Sequence, residues 1–385
     1  MLKAYQHRGH QLLVLGALLV SACEDYKQEI FRVEAVSYAQ LPGWQNENFH
    51  NFWSNYQRNC EKILKKIPDP IDHLPLEEKE WRAVCQKVVD FKEESSEKQR
   101  EFIQKYFVPY RIVSYGKDEG LFTGYFQPIL RARKTQTDRY AYAVYRKPDD
   151  LIIVEDLRVF YPHLKGIRIA GRDVGGHLIP YDTREDIHRG SLKGKGYEIA
   201  WVEDPIHLFF MHIQGSGILE FEDKSRLYLS YAATNGHAYQ AVGQILTAQG
   251  EIPKEKMGMQ SIVSWLKNNP RRQDEILNLN KSYVFFKRSP LQGVVGALET
   301  PLTPLRSLAV DRNYIPLGSL LWLDVEHPTQ TQPRIQQLVV AQDVGGAIKG
   351  PIRGDLFWGE GDQAGALAGQ MKSKGTYYLL LPRKS

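Results

Sequence analysis

Two carboxylates bracket a glycine-dense stretch near the C-terminus, Ala341–Gly361, which reads AQDVGGAIKGPIRGDLFWGEG and is expected to be a loop. Asp343 follows the apolar run Leu338-Val339-Val340-Ala341 and so sits at or near a strand end. Asp355 precedes the apolar aromatic stretch Leu356-Phe357-Trp358. A third acid, Asp311, ends the run Leu308-Ala309-Val310 and precedes the turn Ile315-Pro316-Leu317-Gly318. Acids at the strand ends of a small barrel can converge on one site. Apolar neighbours raise a carboxyl pKa and keep it protonated as a proton donor. Trp358 and Tyr125 offer rings on which a sugar can stack. A plainer reading stands beside this one. Asp343 before Val-Gly-Gly and Asp311 before Arg312-Asn313 are ordinary turn-initiating residues. Glu299, Asp324, Glu326, Glu360 and Asp362 are equally acidic, and composition does not separate them.

Other chemistries find little support. His207 and His212 are five apart, no His-Glu-x-x-His occurs, and no cysteine pair has zinc spacing, so no metal site is expected. No nucleotide-binding glycine loop is present. Gly215-Ser216-Gly217 lacks the spacing of a hydrolase nucleophile elbow, so Ser216 is expected to line a cleft rather than attack. No cofactor is expected. The 50 Lys+Arg against 45 Asp+Glu leave a net charge of +5, too mild to argue for nucleic acid.

The elements that must position these residues read as follows. Residues 1–23, MLKAYQHRGHQLLVLGALLVSAC, have a positive start, a short apolar run and small residues before a cysteine. This is a secretory signal, too short to span a membrane. Val20-Ser21-Ala22-Cys23 resembles a bacterial lipobox, which makes Cys23 the lipidated first residue of the mature chain. The alternative is an ordinary signal peptide with a coincidental cysteine. Cys60 and Cys85 lie in adjacent helix-like segments of an exported chain and could pair; spacing alone does not decide it. Residues 46–109 carry helical periodicity, broken by Pro68 and Pro70. From Tyr110 to about residue 230 the pattern is strand-like, including Leu208–His212. Helices are expected over Asn235–Ala248, Ser261–Asn269 and Asp274–Leu279. Short strands then return at Leu308–Val310, Leu320–Val325, Gln337–Ala341 and Tyr377–Leu381. Many short strands at close spacing suggest barrels.

Five separated motifs occur in order. They are Thr123-Gly124-Tyr125-Phe126, Gln214-Gly215-Ser216-Gly217, Tyr231 with Asn235-Gly236-His237-Ala238-Tyr239, and Val284-Phe285-Phe286-Lys287. The fifth is the trio Asp311, Asp343 and Asp355, with Ala347-Ile348-Lys349-Gly350 between the last two. Together they resemble the membrane-bound lytic transglycosylase A family of murein-cleaving enzymes, from about residue 115 to the C-terminus. The resemblance implies a mainly β fold with accessory helices. It implies a double-psi β-barrel, a second β-barrel inserted in it, and a groove between the two. The implied domains are a signal peptide over 1–22, a helical part with the start of the first barrel over 23–126, an insert over 127–286, and a three-aspartate module over 287–385.

The resemblance further implies a lytic exotransglycosylase, a lyase. It cleaves the β-1,4 bond between N-acetylmuramic acid and N-acetylglucosamine and forms a 1,6-anhydro ring. The residues themselves say nothing of end versus interior cutting. Asp355 maps to the single catalytic acid/base and Asp343 to a residue that supports it. Asp311, Thr123, Tyr125, Gln214, Ser216 and Lys349 are the expected glycan contacts. Expected partners are peptidoglycan glycan strands, a membrane reached through the Cys23 lipid and facing the periplasm, and other cell-wall enzymes. Outer-membrane placement is the expected one. Two other readings stay open: a hydrolase using Asp355 and Asp343 as its two carboxylates, and a non-catalytic wall-binding lipoprotein.

Overall fold

The computed structural model describes residues 31–384, apart from 69–70, 72–73, 165–166, 290–292 and 330. The signal-like segment and Cys23 lie outside the described residues. The first strands are β1 (Arg32–Ala35), β2 (Phe107–Val113) and β3 (Gly120–Gln127). Next come β4 (Ile129–Arg133), β5 (Tyr142–Tyr145), β6 (Ile152–Val154), β7 (Ile169–Val174) and β8 (His177–Ile179). They are followed by β9 (Glu198–Val202), β10 (Gly217–Glu220), β11 (Arg226–Thr234) and β12 (Val284–Arg288). The last are β13 (Ser307–Val310), β14 (Leu320–Val325), β15 (Ile335–Asp343), β16 (Arg353–Glu360) and β17 (Lys372–Pro382). The fold is mainly β with a few helices, in two compact units. One unit holds the chain up to Thr123, Gly296–Leu356 and Lys372 onward; the other holds Gly124–Val295 and Phe357–Met371.

In the first unit the sheet order is β1-β2-β17-β14-β15-β13-β16-β3, and β17 also pairs with β3. The strands from β17 round to β3 therefore close into a ring. Leu320–Val325 is buried at every position, as a strand covered on both faces must be. Leu320, Trp322, Leu338, Val340, Tyr378 and Leu380 share one face and pack under the N-terminal helices Phe52–Lys65, Glu78–Asp90 and Ser96–Tyr106. The first of these buries Phe52, Tyr56, Cys60 and Ile63 along one stripe. Cys60 and Cys85 are joined as a disulfide, with Cα atoms 4.8 Å apart, and link the first two helices. A buried ion pair ties the segment before them to the sheet. Arg306 Nη2 meets Glu47 Oε1 at 3.0 Å and Nη1 meets Oε2 at 3.1 Å. The same carboxylate accepts the N–H groups of Phe49 and Leu338.

In the second unit the sheet order is β12-β11-β10-β4-β9-β5. Its two outer strands meet at a parallel bridge between Arg146 and Phe286. A smaller sheet, β6-β7-β8, packs against it, with Ala170 in one buried cluster with Tyr145, Ala233 and Phe285.

The expectation of a strand over Leu208–His212 is corrected here: Pro205–Gln214 is a helix. Its signals are local. The Asp204 side chain accepts from the N–H groups of Ile206 and His207, Pro205 occupies the first turn, and Gly215 ends the helix at φ 73°. The apolar run is buried on nearly all sides, which hid the helical period. The helix expected over Asn235–Ala248 is also shorter, Val242–Ala248. Asn235 instead ties two distant segments together, giving two side-chain N–H bonds to the Asp182 and Lys281 carbonyls.

Candidate active site

Asp355 is the third residue of β16, inside a strand rather than on a loop. Ala309 of β13 pairs with it on one side, and β3 runs along the other. Glycines let β3 and β16 approach so closely. A Cβ on Gly120 would lie 1.8 Å from the Ile352 carbonyl oxygen, and one on Gly354 would lie 2.9 Å from the Phe122 ring. Arg353 and Asp355 are two apart on one strand and so share a face. Thr123 Oγ1 donates to Asp355 Oδ1 at 2.6 Å, and Arg353 Nη2 donates to Thr123 Oγ1 at 2.8 Å. Arg353 Nη1 also reaches the Leu121 carbonyl at 3.3 Å.

Asp355 is half-buried by surface exposure, but it is packed round by protein. Burial raises its carboxyl above the ordinary value; the Thr123 hydrogen bond and the Arg353 charge pull the other way and do not win. Burial also lowers the Arg353 guanidinium from its usual value, against the opposing charge of Asp355. A partly exposed carboxyl that burial raises is a better proton donor, and as carboxylate it can take a proton back. Like charge contributes nothing here: Glu360 is paired with Arg226 at 3.9 Å, and burial is what raises Asp355.

Asp343 ends β15. Its Oδ1 accepts the N–H groups of Ala297 at 3.0 Å and of Val344 at 2.9 Å. The residue before it, Gln342, is fully buried and exchanges two 3.1 Å bonds with Asn55. Asp343 thus stands on a fixed support. Asp311 is 4% exposed. Its Oδ1 accepts from the Asn313 backbone and side chain, and its Oδ2 accepts from Gly350 N–H at 2.8 Å. It fastens the loop that carries the exposed Lys349.

The remaining expected contacts lie in the second unit or at its edge. Tyr125 is 8% exposed, with its ring centroid 5.2 Å from that of Phe357, so little of it is open for stacking. Gln214 ends its helix and accepts from Phe126 N–H at 3.2 Å. Ser216 is 9% exposed in the turn that follows. Trp358 keeps partial exposure, and its Nε1 lies 3.3 Å from Met371 sulfur. Gly124 makes room for it, because a Cβ there would sit 2.5 Å from that same nitrogen.

Sequence reasoning missed Arg353. The available signal was the Arg-x-Asp spacing, which on a strand puts cation and acid on one face. Among the described residues, no group of three His, Cys, Asp or Glu side chains is arranged to hold a metal ion. Among them, too, no helix is long and apolar enough to cross a membrane.

Comparison with known proteins gives a consistent picture. The MltA specific insert domain matches residues 121–287, and the 3D domain matches residues 306–381. The chain is 35% identical over 265 residues to membrane-bound lytic murein transglycosylase A of Escherichia coli (strain K12). That stretch covers 67% of this chain and 65% of the relative, just under two thirds of the relative's length. The crystal structure of MltA from Neisseria gonorrhoeae is similar with a TM-score of 0.78 and 33% identity, covering 92% of this chain and 93% of that one. Escherichia coli MltA with bound chitohexaose is similar with a TM-score of 0.67 and 27% identity, covering 93% and 97%.

Proposed function

This chain belongs to the membrane-bound lytic murein transglycosylase A family, and from that membership we propose that it is a peptidoglycan lyase with Asp355 as its single acid/base. The observation that carries the reading is the Asp355 carboxyl itself. It is raised by burial, and one of its oxygens is committed to Thr123. The protonated acid gives its proton to the glycosidic oxygen between N-acetylmuramic acid and N-acetylglucosamine. The C1–O bond breaks. The muramyl C6 hydroxyl attacks C1, and the Asp355 carboxylate takes the hydroxyl proton, which restores the acid. No water is consumed, and the product carries a 1,6-anhydro ring. The internal hydroxyl replaces the second carboxylate of an ordinary glycosidase, and its proximity supplies the nucleophile.

Asp343 supports the site rather than attacks, because its Oδ1 already serves two backbone N–H groups. Asp311 acts by holding the Lys349-Gly350 loop. We place glycan contacts at Thr123, Tyr125, Gln214, Ser216 and Lys349, with Trp358 as the more accessible ring. The ring of strands in the first unit is read as the double-psi barrel of this family, with the insert over 127–286. Export, a lipid on Cys23, a periplasm-facing position on the outer membrane and association with other cell-wall enzymes complete the proposal. The test is release of soluble fragments from purified murein sacculi. Wild-type protein releases them and Asp355→Asn does not; release by both would remove Asp355 from its role.

A further inference from the structure

Arg353 belongs to none of the motifs singled out in the sequence, yet it begins a two-bond chain that ends on Asp355. Its Nη2 lies 2.8 Å from Thr123 Oγ1, and that oxygen lies 2.6 Å from Asp355 Oδ1. The proton inventory fixes the direction of both bonds. A guanidinium carries only donors, so Arg353 donates to Thr123. A threonine hydroxyl has one proton and two lone pairs, and it rotates freely unless something holds it. Arg353 occupies one lone pair, and the proton is left to point at Oδ1. An oxygen that accepts there is not the one that carries the acid proton.

We infer that Arg353 is a positioning residue for the proton transfer: through Thr123 it reserves Oδ1 of Asp355 as an acceptor and leaves Oδ2 to give up and recover the proton. This rests on the reading of Asp355 as the acid/base. The guanidinium is built for the task. Nη1 is tied to the Leu121 carbonyl at 3.3 Å and to the Gly354 carbonyl, so Nη2 is aimed by a rigid fork across β3 and β16. The charged and titratable groups on neighbouring strands are few. Lys372 and Lys374 of β17 stand opposite Thr123 and Leu121 in register. Asp343 of β15 lies across Ala309. Tyr377 donates to the Pro351 carbonyl at 2.5 Å. β13 presents only Leu308, Ala309 and Val310 to β16. Of all these, Thr123 and Arg353 are the side chains that act on Asp355.

The test compares wild type with Arg353→Met, Arg353→Lys, Thr123→Val, Thr123→Ser and the Arg353→Met/Thr123→Val double variant. Two quantities are read: kcat and KM on murein across pH, and the Asp355 carboxyl titration followed by carbon-13 NMR. Arg353→Met is expected to lower kcat about tenfold with KM nearly unchanged, and Thr123→Val to lower kcat about tenfold and to raise KM as well, because Thr123 is also placed as a glycan contact. Each is expected to move the Asp355 titration upward by about one pH unit, because each removes a group that favours the carboxylate. In rate the double variant falls no further than Thr123→Val alone, since Arg353 positions Asp355 through the hydroxyl, whereas its charge adds directly to the titration shift. Thr123→Ser restores most of the rate. If Arg353→Met does not fold, Arg353→Lys decides: one ammonium cannot reproduce the fork, so the titration still moves upward. An unmoved titration in the folded Arg353 variant, or losses that multiply in the double variant, overturns the inference. A wild-type protein without turnover, but with the titration shift present, would overturn the glycan-cleaving reading and leave the hydrogen-bond chain standing.

Discussion

Asp343 and Asp355 stand at one level of the sheet, on either side of Ala309, which pairs with both. Two strand spacings put their Cα atoms roughly 10 Å apart. The two acids do not have equal freedom. Asp343 Oδ1 is held by the N–H groups of Ala297 and Val344, whereas Asp355 is held at one oxygen by a hydroxyl. Asp355→Asn is therefore expected to cost about a thousandfold or more in kcat, the range of a lost general acid. Asp343→Asn keeps an oxygen for the two N–H groups and is expected to cost about tenfold. Steady-state rates on sacculi check this. Equal losses would favour a two-carboxylate hydrolase.

Burial raises the Asp355 carboxyl, and that makes a prediction about stability. Between its unfolded and folded pKa values the native chain holds this proton more tightly than the unfolded chain does. Stability from this group is thus present at low pH and falls as pH rises through the window. Asp355→Asn removes the loss. Its Tm should exceed that of wild type at neutral pH, and the gap should close below the ordinary aspartate value of about 3.9. Thermal melts across pH read both. An equal or lower Tm for the variant at neutral pH would mean that burial does not strain this acid.

The disulfide between Cys60 and Cys85 closes a loop 25 residues long. Chain-entropy reasoning gives it about 3.5 kcal/mol of stability. The Cys60→Ser/Cys85→Ser protein should unfold at correspondingly lower denaturant, and reductant should shift wild type but not the variant.

Glu47 and Arg306 are 1% and 7% exposed and meet through two bonds. Glu47→Ala would leave a buried guanidinium without its counter-charge, at a cost of about 3–5 kcal/mol. Denaturant unfolding should show it. The loss should appear although Glu47 lies far in sequence from every acid of the site.

Much of this arrangement was legible in the sequence. Leu320–Val325 is a strand over those residues, and its apolar run Leu320–Leu323 could not have been left exposed on either face. The helical stripe through Phe52, Tyr56 and Ile63 was visible in its period. Two things were hidden. Leu208–Met211 is apolar on every side, so its period said nothing, and only Asp204, Pro205 and Gly215 marked it as a helix. The glycines around Asp355 suggested a loop, but Gly354 serves close strand packing against Phe122. That misdirection also concealed Arg353, whose partnership with Asp355 depends on both lying on a strand.

The most direct test of the central claim is the mass of the products released from murein sacculi. The account predicts muropeptides lighter by one water, with no reducible end, from wild type and none from Asp355→Asn. Hydrated, reducible ends would contradict it, since they would show water as the acceptor and require a second carboxylate.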